Sequence, residues 1–290
     1  MQHSFALVTD STIDETPAYF AEHQIRCVPL SFTIDDRTLE EDGGQTVSFH
    51  QFYDLLRQGK MSSTSQGKLE TFLRVLRELL VAGQDVLYIG FSSGLSGTYD
   101  AGCMARDELA PSFPDRKIVC VDSLSAAGAE YLLVDKARAM RDSGCSLDVT
   151  AAAIEQMRLH MIHLVTVDDL AHLHRGGRLS KTSAIVGSLL GIKPIVIVTN
   201  KGTLQVDSKI RGRQKAIQYL GDRTIRELAD KDEAVRICHG DCLQDAQTLA
   251  DYLLQKGGVR SEIRYLGTVL GSHTGPGVLT IFFTGVDREH

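Results

Sequence analysis

Four short runs rich in β-branched residues, at 5–8, 27–34, 86–89 and 118–121, alternate in the first half of the chain with segments of helical periodicity. No other feature narrows the fold as much. Between the runs, Leu69, Phe72, Leu73, Leu76, Leu79 and Leu80 recur at three- and four-residue spacing, which predicts a helix with one apolar face. A second helix fits 126–141. Strands of this length separated by helices need crossover connections, so a mostly parallel sheet covered on both faces is expected. The second half changes character. Residues 192–198 and 203–207 flank Asn200-Lys201-Gly202, a hairpin signal that favours antiparallel pairing. Further strands are expected at 235–238, 263–266 and 279–283, with helices at 211–230 and 243–255. The expected fold class is α/β: an N-terminal α/β/α domain with a mostly parallel sheet, residues 1–160, followed by a C-terminal α+β domain with a mixed or antiparallel sheet, residues 161–290. No Pro/Gly/Ser linker marks the boundary, so close packing of the two is expected.

A chain of 290 residues can bury two such cores, and its 43% hydrophobic and 23% charged residues exclude disordered and low-complexity classes. The net charge of −6 argues against nucleic acid or an anionic membrane as partner of the whole surface. That average hides a basic stretch. From His172 to Lys215, Arg175, Arg178, Lys181, Lys193, Lys201, Lys209, Arg211, Arg213 and Lys215 face a single acid, Asp207, so this stretch carries +8 and the remainder −14. The six cysteines are scattered without a CxxC pair and are expected to be free, mostly buried thiols of a reducing compartment. The N-terminus lacks a signal-peptide pattern and no stretch approaches 18 apolar residues, so a cytoplasmic, unanchored protein is expected.

Three loops carry candidate chemistry. Ser62-Ser63-Thr64-Ser65-Gln66-Gly67 precedes the amphipathic helix, where hydroxyls either cap the helix or, by the same physics, bind an anion. Gly90-Phe91-Ser92-Ser93-Gly94-Leu95-Ser96-Gly97-Thr98-Tyr99 follows the 86–89 run, at the strand end where open parallel sheets bind ligands. It also contains G-x-S-x-G, so a serine hydrolase using Ser92, with Asp122 or Asp168 and His273, is the alternative, although no oxyanion-loop motif precedes it. Gly271-Ser272-His273-Thr274-Gly275-Pro276-Gly277 is expected to be a tight loop whose histidine can donate to an anion. His174-Arg175-Gly176-Gly177-Arg178 puts two guanidinium groups on a turn suited to phosphate or carboxylate. His160, His163, His172 and His174 are expected at the surface or at helix ends. Cys238, His239 and Cys242 have irregular spacing and no second ligand pair, so no metal site is expected. Neither GxGxxG nor a P-loop occurs, so no nucleotide site has motif support.

In their order and spacing, Val8-Thr9-Asp10-Ser11-Thr12 with Asp14, Ser63-Thr64-Ser65-Gln66, Ser92 to Tyr99, Arg175-Gly176-Gly177-Arg178, Lys193-Pro194 and the Gly271 to Gly277 loop resemble the DegV family. The resemblance covers essentially the whole chain. Members of this family include the fatty-acid-binding subunits of bacterial fatty acid kinase. One departure is Gly67, where the family usually has proline. The resemblance implies one long-chain fatty acid held between two domains as the only bound ligand, with no further cofactor and no catalysis by the chain itself. By matching, the carboxylate falls to Thr64, Ser93 and His273, with Ser96, Gly97 and Ser272 close by. It places Arg175 and Arg178 at the pocket mouth and the kinase-facing surface, and Arg211 is grouped with them as partner- or phosphate-facing. The implied partner is a separate ATP-dependent fatty acid kinase that converts the acid to an acyl phosphate for phospholipid synthesis. Transient membrane contact is compatible with this, and nucleic acid is not a partner.

Overall fold

The computed structural model describes residues 3–168, 170–179 and 191–288. The first lobe contains β1 (Ala6–Asp10), α1 (Pro17–Glu22), β2 (Ile25–Val28), β3 (Ser31–Ile34), β4 (Arg37–Glu40), α2 (Phe49–Arg57), β5 (Ser62–Ser65), α3 (Leu69–Val81), β6 (Val86–Gly90), α4 (Thr98–Leu109), β7 (Ile118–Asp122), α5 (Ala127–Asp142) and α6 (Leu147–Met157). Four of these strands form the expected parallel sheet, in the order β2-β1-β6-β7. Alternate residues serve opposite faces. Val8, Val86, Tyr88 and Cys120 pack under α3 and α4, whereas Leu7, Leu87, Ile89 and Val121 pack against α5 and α6.

The 27–34 run divides into two strands instead of forming one. Pro29 has no N–H to give to a ladder, so the parallel strand stops at Val28. After it the chain turns away, and β3 pairs antiparallel with β4 and β5 in a separate three-stranded sheet that the apolar pattern does not announce. The Ser62 to Ser65 segment is therefore a strand, not a capping loop. Lys68 occupies the N-cap of α3, and no side chain caps that helix.

The second lobe contains β8 (Met161–Thr166), α7 (Ala171–Arg175), β9 (Ile192–Val198), β10 (Leu204–Arg211), α8 (Arg213–Glu227), β11 (Val235–His239), α9 (Leu243–Gly257), β12 (Ser261–Tyr265), α10 (Thr268–Thr274) and β13 (Leu279–Thr284). Its six-stranded sheet has the order β10-β9-β8-β13-β11-β12 and is mixed: β11 and β12 are parallel, and the other neighbours, including the β9–β10 hairpin, are antiparallel. Ile162, Leu164, Ile281 and Phe283 lie on the face covered by α8 and α9. His163, Val165, Thr280 and Phe282 point the other way, toward the first lobe. All six cysteines are free; Cys120 and Cys238 are buried and the other four are half-buried, fewer than expected. Among the described residues no helix is long and apolar enough to cross a membrane.

Candidate functional site

A cavity of about 250 Å³ lies between the loops that follow β2, β5 and β6 and the first-lobe face of the six-stranded sheet. Val165, Val196, Val198 and Phe282 contribute apolar side chains from the sheet. Leu30, Phe91, Leu95, Ala126, Val269 and Leu270 form the opposite wall and pack together as one apolar cluster. A second, more polar cavity of about 590 Å³ adjoins it and shares Thr64, Arg178 and His273, so these three residues stand where one space opens into the other.

Two of the shared residues are bonded to each other. Thr64 Oγ1 lies 2.8 Å from His273 Nε2. Burial, with the Arg178 guanidinium nearby, pushes His273 down to about 4, so its imidazole is neutral near pH 7. Its Nδ1 is buried and has no hydrogen-bond partner among the described residues, and Gly176 comes so close to it that any Cβ there would collide. Arg178 spans the mouth: Nε donates to the Leu95 carbonyl at 3.1 Å and Nη1 to that of Gly176 at 2.6 Å. Ser96 and Gly97 also line the cavity, and Ser96 Oγ lies 2.9 Å from Thr98 Oγ1. Gly67 donates its N–H to Thr98 Oγ1 at 3.2 Å, a bond that proline at this position would remove.

Not every expected site residue joins this group. Ser93 is exposed, outside the lining, with its N–H on Asp122 Oδ1 at 3.2 Å. Ser272 is buried, donates to the Thr268 carbonyl, pairs with Ser62 at 2.7 Å and borders the second cavity only. Arg175 is exposed and also borders the second cavity, whereas Arg211 is exposed at the end of β10 and borders neither. Lys181 of the basic stretch lies outside the described residues.

The hydrolase arrangement does not form. Ser92 is buried and donates to the Gly202 carbonyl at 2.8 Å, while His273 is engaged with Thr64 and Asp122 accepts from the Ser93 and Leu124 N–H groups. The expected loop from Gly271 to Gly277 is also different: its first half is the end of α10. Gly271 serves close packing, since a Cβ there would sit 2.6 Å from the Tyr53 hydroxyl and 2.9 Å from the Phe52 ring. His163, expected at the surface, is buried in the cavity wall. Its Nε2 accepts from Ala126 N–H at 3.3 Å and its Nδ1 lies 3.2 Å from the Met161 carbonyl, while burial and the Arg288 charge push it well below the usual imidazole range. Its place between Ile162 and Leu164 was the available signal, because strand alternation sets it beside Val165.

Beneath the cavity wall, Asp10 Oδ2 accepts the Phe91 N–H at 2.9 Å and so fixes the loop after β6. The Thr12 hydroxyl lies 2.7 Å from both Asp10 Oδ1 and Glu130 Oε2. One hydroxyl donates one hydrogen, so one of these carboxyls must carry a proton. Asp10 accepts N–H bonds from Thr12 and Phe91, whereas Glu130 Oε1 has no partner among the described residues, which assigns the proton to Glu130. Burial first, then the charge of Asp10, pushes Glu130 well above the carboxylate range. A group protonated only in the folded chain stabilises fully below about pH 4.3, and this contribution declines by about 1.4 kcal/mol per pH unit as pH rises toward its folded pKa. Against Glu130→Gln, which cannot titrate, the wild type is expected to lose stability progressively as pH rises above about 5, by at most about 1.4 kcal/mol per unit, in urea unfolding. Parallel curves would overturn the assignment.

Among the described residues, exposed His50 with half-buried Asp54 and Asp241 forms the single cluster with metal-ligand chemistry, but Arg57 bridges both aspartates at 2.8 and 2.6 Å. Cys238, His239 and Cys242 do not converge: the Cys242 thiol turns to the Val278 carbonyl.

The family model described as uncharacterised protein, DegV family, matches residues 4–285. A DegV domain-containing protein of Clostridium perfringens is 37% identical over 287 residues, which is 98% of this chain and 99% of that one. Among solved structures, a fatty acid binding DegV family protein from Streptococcus agalactiae is 28% identical with a TM-score of 0.86, covering 99% of this chain and 100% of its own. A DegV family protein from Thermus thermophilus, whose structure is described for its fatty acid binding, is 27% identical with a TM-score of 0.86, covering 98% and 100%.

Proposed function

The chain belongs to the DegV family, and from that premise we propose that it holds one long-chain fatty acid in the apolar cavity and presents the carboxylate to a separate ATP-dependent kinase. The observation that carries the proposal is the asymmetry of the cavity: aliphatic and aromatic walls, with Thr64, His273 and Arg178 gathered where it meets the polar space outside. The fatty acid binding of the Streptococcus agalactiae and Thermus thermophilus relatives supports it. An acyl chain contributes about 0.8 kcal/mol per buried CH₂, so roughly 16 carbons supply on the order of 10 kcal/mol before ordering costs. The head group needs only enough hydrogen bonding to offset desolvation. A hydroxyl, a neutral imidazole and one guanidinium provide that while leaving a carboxylate oxygen open to the second cavity. That oxygen attacks the γ-phosphorus of ATP held by the partner; the new O–P bond gives the acyl phosphate as ADP leaves. Arg175, at the outer cavity, suits the charge of the incoming phosphates.

Native mass spectrometry of protein purified from cells is expected to show one co-bound fatty acid, and an empty protein indifferent to added acid would overturn the proposal. Thr64→Val combined with His273→Phe is expected to weaken binding of the free acid by about tenfold to a hundredfold, the loss of one or two hydrogen bonds to a charged group. Binding of the corresponding methyl ester is expected to stay within about threefold. Kinase coupling is a separate arm: with ATP and the kinase subunit, acyl phosphate is trapped by hydroxylamine, and binding without trapping would remove the presenting role alone.

A further inference from the structure

α10 belongs to the second lobe, yet Thr268, Ser272 and His273 on it all bond to the first. Glu41, just after β4 and 7% exposed, accepts on Oε2 both the Thr268 N–H, at 2.7 Å, and the Thr268 hydroxyl. Its Oε1 takes the Gly43 N–H at 3.0 Å and its own N–H goes to the Leu30 carbonyl at 2.9 Å, so the carboxylate is fixed on the first lobe. Further along the helix, Ser62 pairs with Ser272 at 2.7 Å and Thr64 with His273 at 2.8 Å. Between these bonds the two surfaces do not interlock. At Gly267 and Gly271 the helix presents bare backbone to the first lobe, and a Cβ at Gly267 would sit 2.3 Å from Asp14 Oδ1 and 3.3 Å from Glu41 Oε2. Smooth backbone contacts resist separation but not sliding, so the place of α10 along its own axis rests on the directional bonds.

We propose that Glu41 is a positioning residue of the head-group site: by holding Thr268 it sets α10 where His273 reaches Thr64. Glu41 lines neither cavity and acts only through the helix. The same helix brings Val269 and Leu270 to the apolar cavity and His273 to its polar mouth, so one bond at Thr268 fixes wall and mouth together. The inference rests on the fatty-acid reading for what the site binds, whereas the contact between Thr64 and His273 is made by the chain alone. Without the carboxylate, α10 loses its first anchor on the other lobe, and His273 leaves Thr64 for a more hydrated position.

The first readout needs no ligand. His273, which burial and the Arg178 charge push down to about 4, reports its own place through the NMR titration of its ring protons, identified among the ten histidines by their loss in His273→Phe. In Glu41→Ala its midpoint is expected to rise toward the ordinary value of about 6.5 as the ring is hydrated. Glu41→Gln keeps an acceptor for Thr268 and is expected to restore the wild-type midpoint. Thr268→Val removes the hydroxyl and keeps the N–H; it is expected to raise the midpoint by less, and it decides the matter if Glu41→Ala does not fold. The second readout is affinity. Glu41→Ala is expected to weaken binding of a free long-chain acid about tenfold and of its methyl ester by less than about threefold, a split that general damage to the pocket would not give. A midpoint that stays at about 4 in Glu41→Ala and Thr268→Val would overturn the proposal, as would equal losses for acid and ester. A wild type that binds neither acid nor ester would remove the fatty-acid reading, and the midpoints would still decide the role of Glu41.

Discussion

Glu15→Ala is expected to unfold in urea with a free energy about 3 kcal/mol below that of the wild type. Glu15 sits in the first lobe between β1 and α1, and its carboxylate pairs with Nη2 of Arg236 on β11 of the second. The Arg236 side chain is only 2% exposed and that of Glu15 6%. The guanidinium also lies 3.5 Å above the Tyr131 ring, and a half-exposed Glu262 is 3.7 Å from Nη1. Its Nε and Nη1 have no hydrogen-bond partner among the described residues. Removing one member of a buried pair leaves an uncompensated charge, which costs about 3–5 kcal/mol; Tyr131 and Glu262 hold the loss to the low end. Glu15→Leu with Arg236→Met separates the charge from the pairing. Both charges are then gone, so stability is expected within about 1 kcal/mol of the wild type or above it. A single-variant loss under about 1 kcal/mol would reject the account.

Val198→Phe tests the cavity from the other direction. Val198 is 2% exposed and lines the cavity from β9. A phenyl ring there occupies space proposed for about four methylenes of an acyl chain, worth about 3 kcal/mol, so affinity for a long-chain acid is expected to fall by roughly two orders of magnitude. Filling an empty cavity differs from overpacking a full one. The ligand-free variant is therefore expected to keep or slightly raise its thermal midpoint, where an overpacked core would lose about 1–3 kcal/mol. Titration calorimetry with the acid, beside a melting curve of stripped protein, reads both quantities. Unchanged affinity would place the acyl chain elsewhere.

The parallel sheet was legible because its strands are compact apolar runs, and the β9–β10 hairpin because Asn200-Lys201-Gly202 specifies its turn. The three-stranded sheet was not. β5 consists wholly of Ser and Thr, and its pairing with β3 is satisfied by backbone bonds that leave no mark on hydropathy. Pro29 is visible in the sequence, but the apolar pattern continues across it and only its missing N–H ends the ladder. Thr64 and His273 each stand out in the sequence, but a separation of 209 positions conceals their hydrogen bond. The proton on Glu130 was hidden for a related reason: it follows from one hydroxyl placed between two carboxyls 120 positions apart, a matter of stoichiometry that spacing does not record.

β13 comes after all its neighbours in chain order, yet it lies in the middle of its sheet, between β8 and β11. It also carries Thr280 and Phe282 into the cavity wall. While residues 279–284 are still inside the ribosome, β8 and β11 have nothing between them and the cavity lacks part of one wall. Synthesis of these six residues thus completes the sheet and the pocket together. A chain interrupted before them lacks Thr280 and Phe282 in its cavity wall and leaves the facing edges of β8 and β11 unpaired, open to pairing with another chain.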